Sequence, residues 1–132
     1  MRLSPPALSL AIDLTQLMAR SVLIVERHPE IADALEQVIA SADCSAIVRA
    51  HLDGLDDVNP APAAIVMRIT FEGSGEPAHA GLERLPAGHP PIIAIVRADE
   101  EACEAARLNC DVVLRAPSDL GQLRNILTRL MR

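Results

Sequence analysis

Three short runs of uninterrupted apolar residues, Val22–Val25, Ala63–Met67 and Ile92–Val96, constrain this chain more than anything else in it. Successive side chains of a strand point to opposite faces of its sheet, so a strand with one wet face alternates apolar and polar residues. A run without alternation is buried on both faces, as in a parallel sheet covered by helices. The first run ends in a charged turn and a proline, Glu26-Arg27-His28-Pro29, and the second ends at Arg68. In an open α/β sheet the chemistry sits at the carboxyl ends of the strands. The residues at those ends therefore decide what the chain can do.

The segments between the runs read as helices and two further strands. Pro29 suits the first turn of a helix, where its missing N–H costs nothing. Ile31, Leu35, Val38 and Ile39 then share one face. Ala46–Val48 reads as a short strand, and residues 51–62 as a loop with at most one helical turn around Leu52–Val58. Residues 70–80, with Gly73, Ser74, Gly75 and Pro77, read as a flexible loop, and Gly81–Leu85 as a stub of helix. Asp99 is the expected N-cap of a helix through Leu108, and Asp111–Leu114 the expected fifth strand. Ser118 is the expected cap of a last helix that buries Leu120, Leu123, Ile126, Leu127 and Leu130. Near the amino terminus, Leu10, Leu14, Leu17 and Met18 fall at helical spacing. The organisation is an extension over residues 1–20 with a short amphipathic helix, then one domain over residues 21–132. Strands alternating with helices give a doubly wound five-stranded parallel sheet.

Composition narrows the function. The chain has 132 residues, with 12 basic and 18 acidic side chains and a net charge of −6. It has no basic run, and Phe71 is its single aromatic residue. A nucleic-acid surface of this domain's own is not expected. Asp13 cuts the apolar segment Ala7–Ile12 short of a signal peptide or a membrane span. Cys44, Cys103 and Cys110 form no CxxC pair and suit a reducing, cytoplasmic setting as small buried side chains.

With these elements placed, residues 21–131 resemble the receiver domain of two-component response regulators, a flavodoxin-like, CheY-like fold. The resemblance rests on SVLIVERHPEIADALEQVI, PAAIVMRIT, PPIIAIV and NCDVVLRAPSDLGQL. A working receiver implies two acids after the first strand and a phosphoacceptor aspartate ending the third. It also implies a hydroxyl ending the fourth strand and a lysine after the fifth. Such acids hold a divalent cation, and positive partners hold the phosphoryl oxygens. Here those positions carry Glu26, Arg27, Arg68, Val96 and Ala116. A one-residue slip brings Arg115 near the lysine position, but no acid lies between Ala61 and Thr70, and Glu72 is four residues past Arg68. Phosphorylation by the usual route is therefore not expected, and neither are a metal, a cofactor or an enzymatic activity.

Glu26 and Arg68 end neighbouring strands at one edge, so an Arg–carboxylate pair can stand where the metal and phosphoaspartate would be. The alternative is that Arg68 reaches out to solvent. Among degenerate receivers, the chain looks most like the N-terminal domain of AmiR-type ANTAR transcription antiterminators: a leader helix, a lost acidic pocket, and a similar stretch from Asn109 to Leu120. That resemblance implies regulation by a ligand-sensing protein partner, with RNA bound by an output domain beyond Arg132. The implied role is a phosphorylation-independent signalling module controlling transcription or antitermination; the alternatives are a stand-alone adaptor or dimerisation unit, or a divergent phosphoacceptor using Glu72. Glu104, Arg107, Arg124 and Thr128 are the expected partner or self-association surface. His28, His51, His79 and His89 show no metal-ligand spacing, and His28 reads as an N-cap or surface residue. FEGSGEP has the glycines of a phosphate loop without its Lys and Ser/Thr, and Ser74 has no base in view.

Overall fold

The computed structural model describes residues 20–52, 58, 61–71 and 77–131. The helix expected over Leu10–Met18 lies outside these residues, as do most of the 51–62 loop and Glu72–Glu76. The elements run β1 Ser21–Val25, α1 Pro29–Ser41, β2 Ser45–Arg49, β3 Ala64–Arg68, a tight 3₁₀ segment Ala78–Arg84, β4 Ile92–Val96, α2 Asp99–Arg107, β5 Val112–Arg115 and α3 Gly121–Leu130. All strand pairs are parallel, in the order β2-β1-β3-β4-β5.

The apolar runs are explained by two cores, one on each face of the sheet. Val22, Ile24, Ala64, Val66, Ile93 and Ile95 point to the face covered by α1 and α3, where they meet Leu35, Ile39, Leu123 and Leu127. Their neighbours Leu23, Val25, Ile65, Met67, Ala94 and Val96 point the other way, towards Leu82 of the 3₁₀ segment and Ala105 of α2. Fully burying each Leu, Ile or Val contributes about 1.5–3 kcal/mol. Both parities of β1, β3 and β4 are needed, so neither can become polar.

Two helices stop in the same way. Asp43 and Asn109 each take φ of 60°, the left-handed conformation, and each donates its N–H back into the helix before it, to Ala40 and Ala106. Asp and Asn tolerate that conformation better than other non-glycine residues.

Several element ends depart from expectation. Asp99 is the first residue of α2, and Ala98 holds the N-cap position. Glu101 supplies the carboxylate instead, accepting the Arg97 N–H at 2.7 Å from a buried position. Ser118 caps nothing: its hydroxyl donates to the Arg115 carbonyl, Asp119 takes the Arg115 N–H at 3.0 Å, and α3 begins at Gly121. β5 starts at Val112, because the Asp111 carboxylate accepts the Ile92 N–H at 2.7 Å and ends the pairing there. The 3₁₀ segment starts three residues before the expected stub.

Candidate functional site

Val25 of β1 and Met67 of β3 are paired neighbours, so the next residue of each strand emerges side by side at the carboxyl edge. Those residues are Glu26 and Arg68, and they meet. Arg68 Nε donates to Glu26 Oε1 at 2.9 Å, and Nη2 donates to Oε2 at 3.2 Å. This is the two-pronged geometry that makes Arg–carboxylate pairs strong. The Glu26 side chain is 4% exposed and that of Arg68 15%, so Arg68 does not reach out to solvent. The Glu26 backbone is fixed too, its N–H donating to the Arg49 carbonyl at 2.9 Å. A carboxylate this buried needs a partner, and Arg68 is the partner.

Around the pair lies a cleft of about 480 Å³ lined by Glu26, Arg27, His28, Arg68, Thr70 and Arg97, with Ile31, Pro77 and Ala78 completing the wall. Glu26 is the only carboxylate lining it among the described residues, against three guanidiniums. No cluster of three or more His, Cys, Asp or Glu among the described residues is arranged to hold a metal ion. Val96 is 1% exposed, with its side chain in the second core. Ala116 packs against the first core, its N–H donating to the Val96 carbonyl at 2.8 Å. Arg115 does not take the lysine's place, because its guanidinium pairs with Asp99.

Thus Glu26, Arg27 and Arg68 come together in one cleft, while Val96 is sunk in the second core and Ala116 packs against the first. Arg97 and Thr70 join the cleft without a motif in the sequence to mark them; the one signal for Arg97 is its place directly after β4, at the carboxyl edge of the sheet.

The four residues expected to form a partner surface do not lie together. Glu104 and Arg107 are bonded to each other, Arg107 Nη1 reaches Glu83 Oε1 at 2.7 Å, and Glu104 Oε2 lies 3.9 Å from His79 Nε2. They thus turn towards the 3₁₀ segment, away from β5, whereas Arg124 and Thr128 are exposed on α3, across the sheet. The hydrogen bond from Arg107 holds the Glu104 carboxyl below its ordinary range. His79 is the histidine the sequence undersold. It is 3% exposed, its Nδ1 has no hydrogen-bond partner among the described residues, and Phe71 sits edge-on at 6.0 Å. Burial holds its pKa below the ordinary value, and the nearby Glu104 opposes that only partly. His28 holds the N-cap position of α1 without making a side-chain cap bond.

The cysteines differ in setting. Cys44 is buried, which raises its pKa, and burial pushes Cys110 up to about 11. Cys103 is exposed, contrary to the expectation that all three are buried.

No protein-family model matches the sequence, and no curated protein matches it as a relative. Solved structures do match. A response regulator receiver protein from Burkholderia phymatum is 21% identical, with a TM-score of 0.61 over 83% of this chain and 94% of that one. The signal receiver domain of a DNA binding response regulator from Colwellia psychrerythraea is 20% identical, with a TM-score of 0.66 over 83% and 96%. The fold is the receiver fold. NtrX from Brucella abortus shares it at 22% identity and a TM-score of 0.68 over 86% of this chain, which spans about 27% of that longer protein. Among the described residues of this receiver fold, no helix is long and apolar enough to cross a membrane.

Proposed function

We propose that this chain is a phosphorylation-independent signalling module, a receiver fold whose output depends on binding a protein partner. The Glu26–Arg68 pair carries the reading. It fills the corner where the receiver resemblance implies a metal between acids, and it puts a guanidinium where the phosphoacceptor carboxylate would be. A guanidinium offers no oxygen to a phosphoryl group. The pair also ties β1 to β3 at this edge through a bond that needs no phosphoryl group. Regulation then falls to association, with a ligand-sensing regulator or a second copy of this chain, and transcription or antitermination to an output domain outside residues 1–132. The exposed Arg124 and Thr128 on α3 are the surface open to such a partner.

Incubation with acetyl phosphate and Mg²⁺ followed by intact mass analysis tests the chemistry. The expected spectrum is unchanged; a stoichiometric gain of one phosphoryl group refutes the proposal.

A further inference from the structure

Beside the charged cleft, the first core opens to water. A cavity of about 330 Å³ lies at the carboxyl ends of β3 and β4, between α1 and the turn that leads into α3. Two of its lining residues, Leu35 and Ile95, are buried members of that core. Ile31, Ala116 and Leu120 pack against the same core but remain only half-buried. Ala34 completes the apolar lining, and neither it nor Ala116 is large enough to fill the recess. The cavity shares Ile31, Arg68 and Arg97 with the charged cleft, so it borders the point between β1 and β3 where the strand order reverses. Open α/β sheets hold their ligands at such a point.

We infer that this cavity binds a small, uncharged, largely apolar molecule, of the kind of a two-ring aromatic or a branched aliphatic alcohol. A volume near 330 Å³ is in the range of small-molecule sites, which are mostly apolar with a few polar groups. The charges on the lining decide against an ion. Glu30, Arg68 and Arg97 carry both signs. Arg68 is bonded through two nitrogens to Glu26, and Arg97 makes an interaction of its own in the structure. Glu30 lies in the first turn of α1, where the positive end of the helix favours a carboxylate. A charged ligand of either sign would lose its hydration here without gaining a dedicated partner. An apolar body needs none, because its transfer from water onto Ile31, Leu35, Ile95 and Leu120 is favourable by itself.

The inference goes beyond the partner-binding reading and does not depend on it, since these walls are apolar whether or not the cleft accepts a phosphoryl group. The probes share one ring system and differ in charge: 2-naphthylmethanol, the anion 2-naphthoate and the cation 2-naphthylmethylammonium. Each is titrated into the whole chain near neutral pH and followed by two-dimensional amide NMR. Saturable shifts at Ile31, Ala34, Leu35, Ala116 and Leu120 are expected with the alcohol, and binding of both ions about tenfold weaker or worse. Ala34 is exposed on α1 and leucine is a good helix former, so Ala34→Leu keeps the helix and fills the cavity. A native-like spectrum with binding of the alcohol lost is expected of that variant. No saturable shift, an ion bound as tightly as the alcohol, or undiminished binding to a folded Ala34→Leu variant overturns the inference.

Discussion

The body of the sheet and its carboxyl edge answer to different demands. In the body, every residue of β1 and β4 and all of β3 before Arg68 are buried, and alternate side chains feed two separate cores. Changing any of them disturbs packing on one face or the other. At the edge, one residue further along the same strands, side chains look into an open cleft. There the strands carry Glu26, Arg27, Arg68 and Arg97, charged groups around one cleft. The edge contributes little apolar burial, so its charged side chains weigh little on the packing of the sheet. What the fold does feel is the buried charge of Glu26, and the one edge residue the structure cannot spare is the arginine beside it. Fold and chemistry are thus separable here within a single residue step.

The contrast can be broken first in the body. Ile65 is fully buried in the second core, so Ile65→Ala is expected to cost about 3–4 kcal/mol in urea unfolding. A loss below about 1 kcal/mol would mean that the two-core description is wrong. The edge comes next. Arg68→Ala strands the Glu26 carboxylate and is expected to cost about 2–3 kcal/mol, less than a fully interior pair because the cleft admits water. The double change Glu26→Leu with Arg68→Met is expected to recover most of that loss. Additive losses in this cycle would show that the pair is not coupled.

A smaller effect comes from His79. Its folded pKa is depressed, so the folded chain keeps it neutral while the unfolded chain takes up a proton as pH falls below about 6.5. The unfolded state then binds more protons, and stability falls as pH drops through and below that value, while above it this contribution is constant. Denaturation midpoints at several pH values from neutral to mildly acidic are expected to fall less steeply for His79→Gln than for the native chain. Equal slopes would mean that His79 titrates freely. Smallest in energy, and cleanest to read, is thiol reactivity. Iodoacetamide at mildly alkaline pH is expected to label Cys103 well before Cys110, whose thiol is pushed up to about 11.

Much of this was legible in the sequence, for reasons that differ by residue. Val22–Val25 and Ile92–Val96 betray burial on both faces because no polar residue interrupts them. The Glu26–Arg68 pair could be foreseen because neighbouring parallel strands bring the residues after their last rungs to one edge. The helix starts were harder. Asp99 and Ser118 look like caps, but Glu101 and Asp119 carry the backbone bonds that fix those turns, and a residue type alone does not say which carboxylate bends back. His79 left no periodic signal, since a lone histidine in a short 3₁₀ segment has no repeated neighbours. The expected partner surface was split because helical spacing does not tell which flank of α2 faces the 3₁₀ segment. The Glu104 and Arg107 contacts with His79 and Glu83 decide it.

The central proposal is that a guanidinium–carboxylate pair stands where the receiver resemblance implies metal-assisted phosphoryl chemistry at the edge of this sheet. The most direct measurement is a titration of the native chain with Mg²⁺ and beryllofluoride, a phosphoryl mimic, followed at the amides of Glu26, Arg68, Thr70 and Arg97. The account predicts no saturable shift at any of them. A Mg²⁺-dependent, saturable change centred on Arg68 and Thr70 would contradict it.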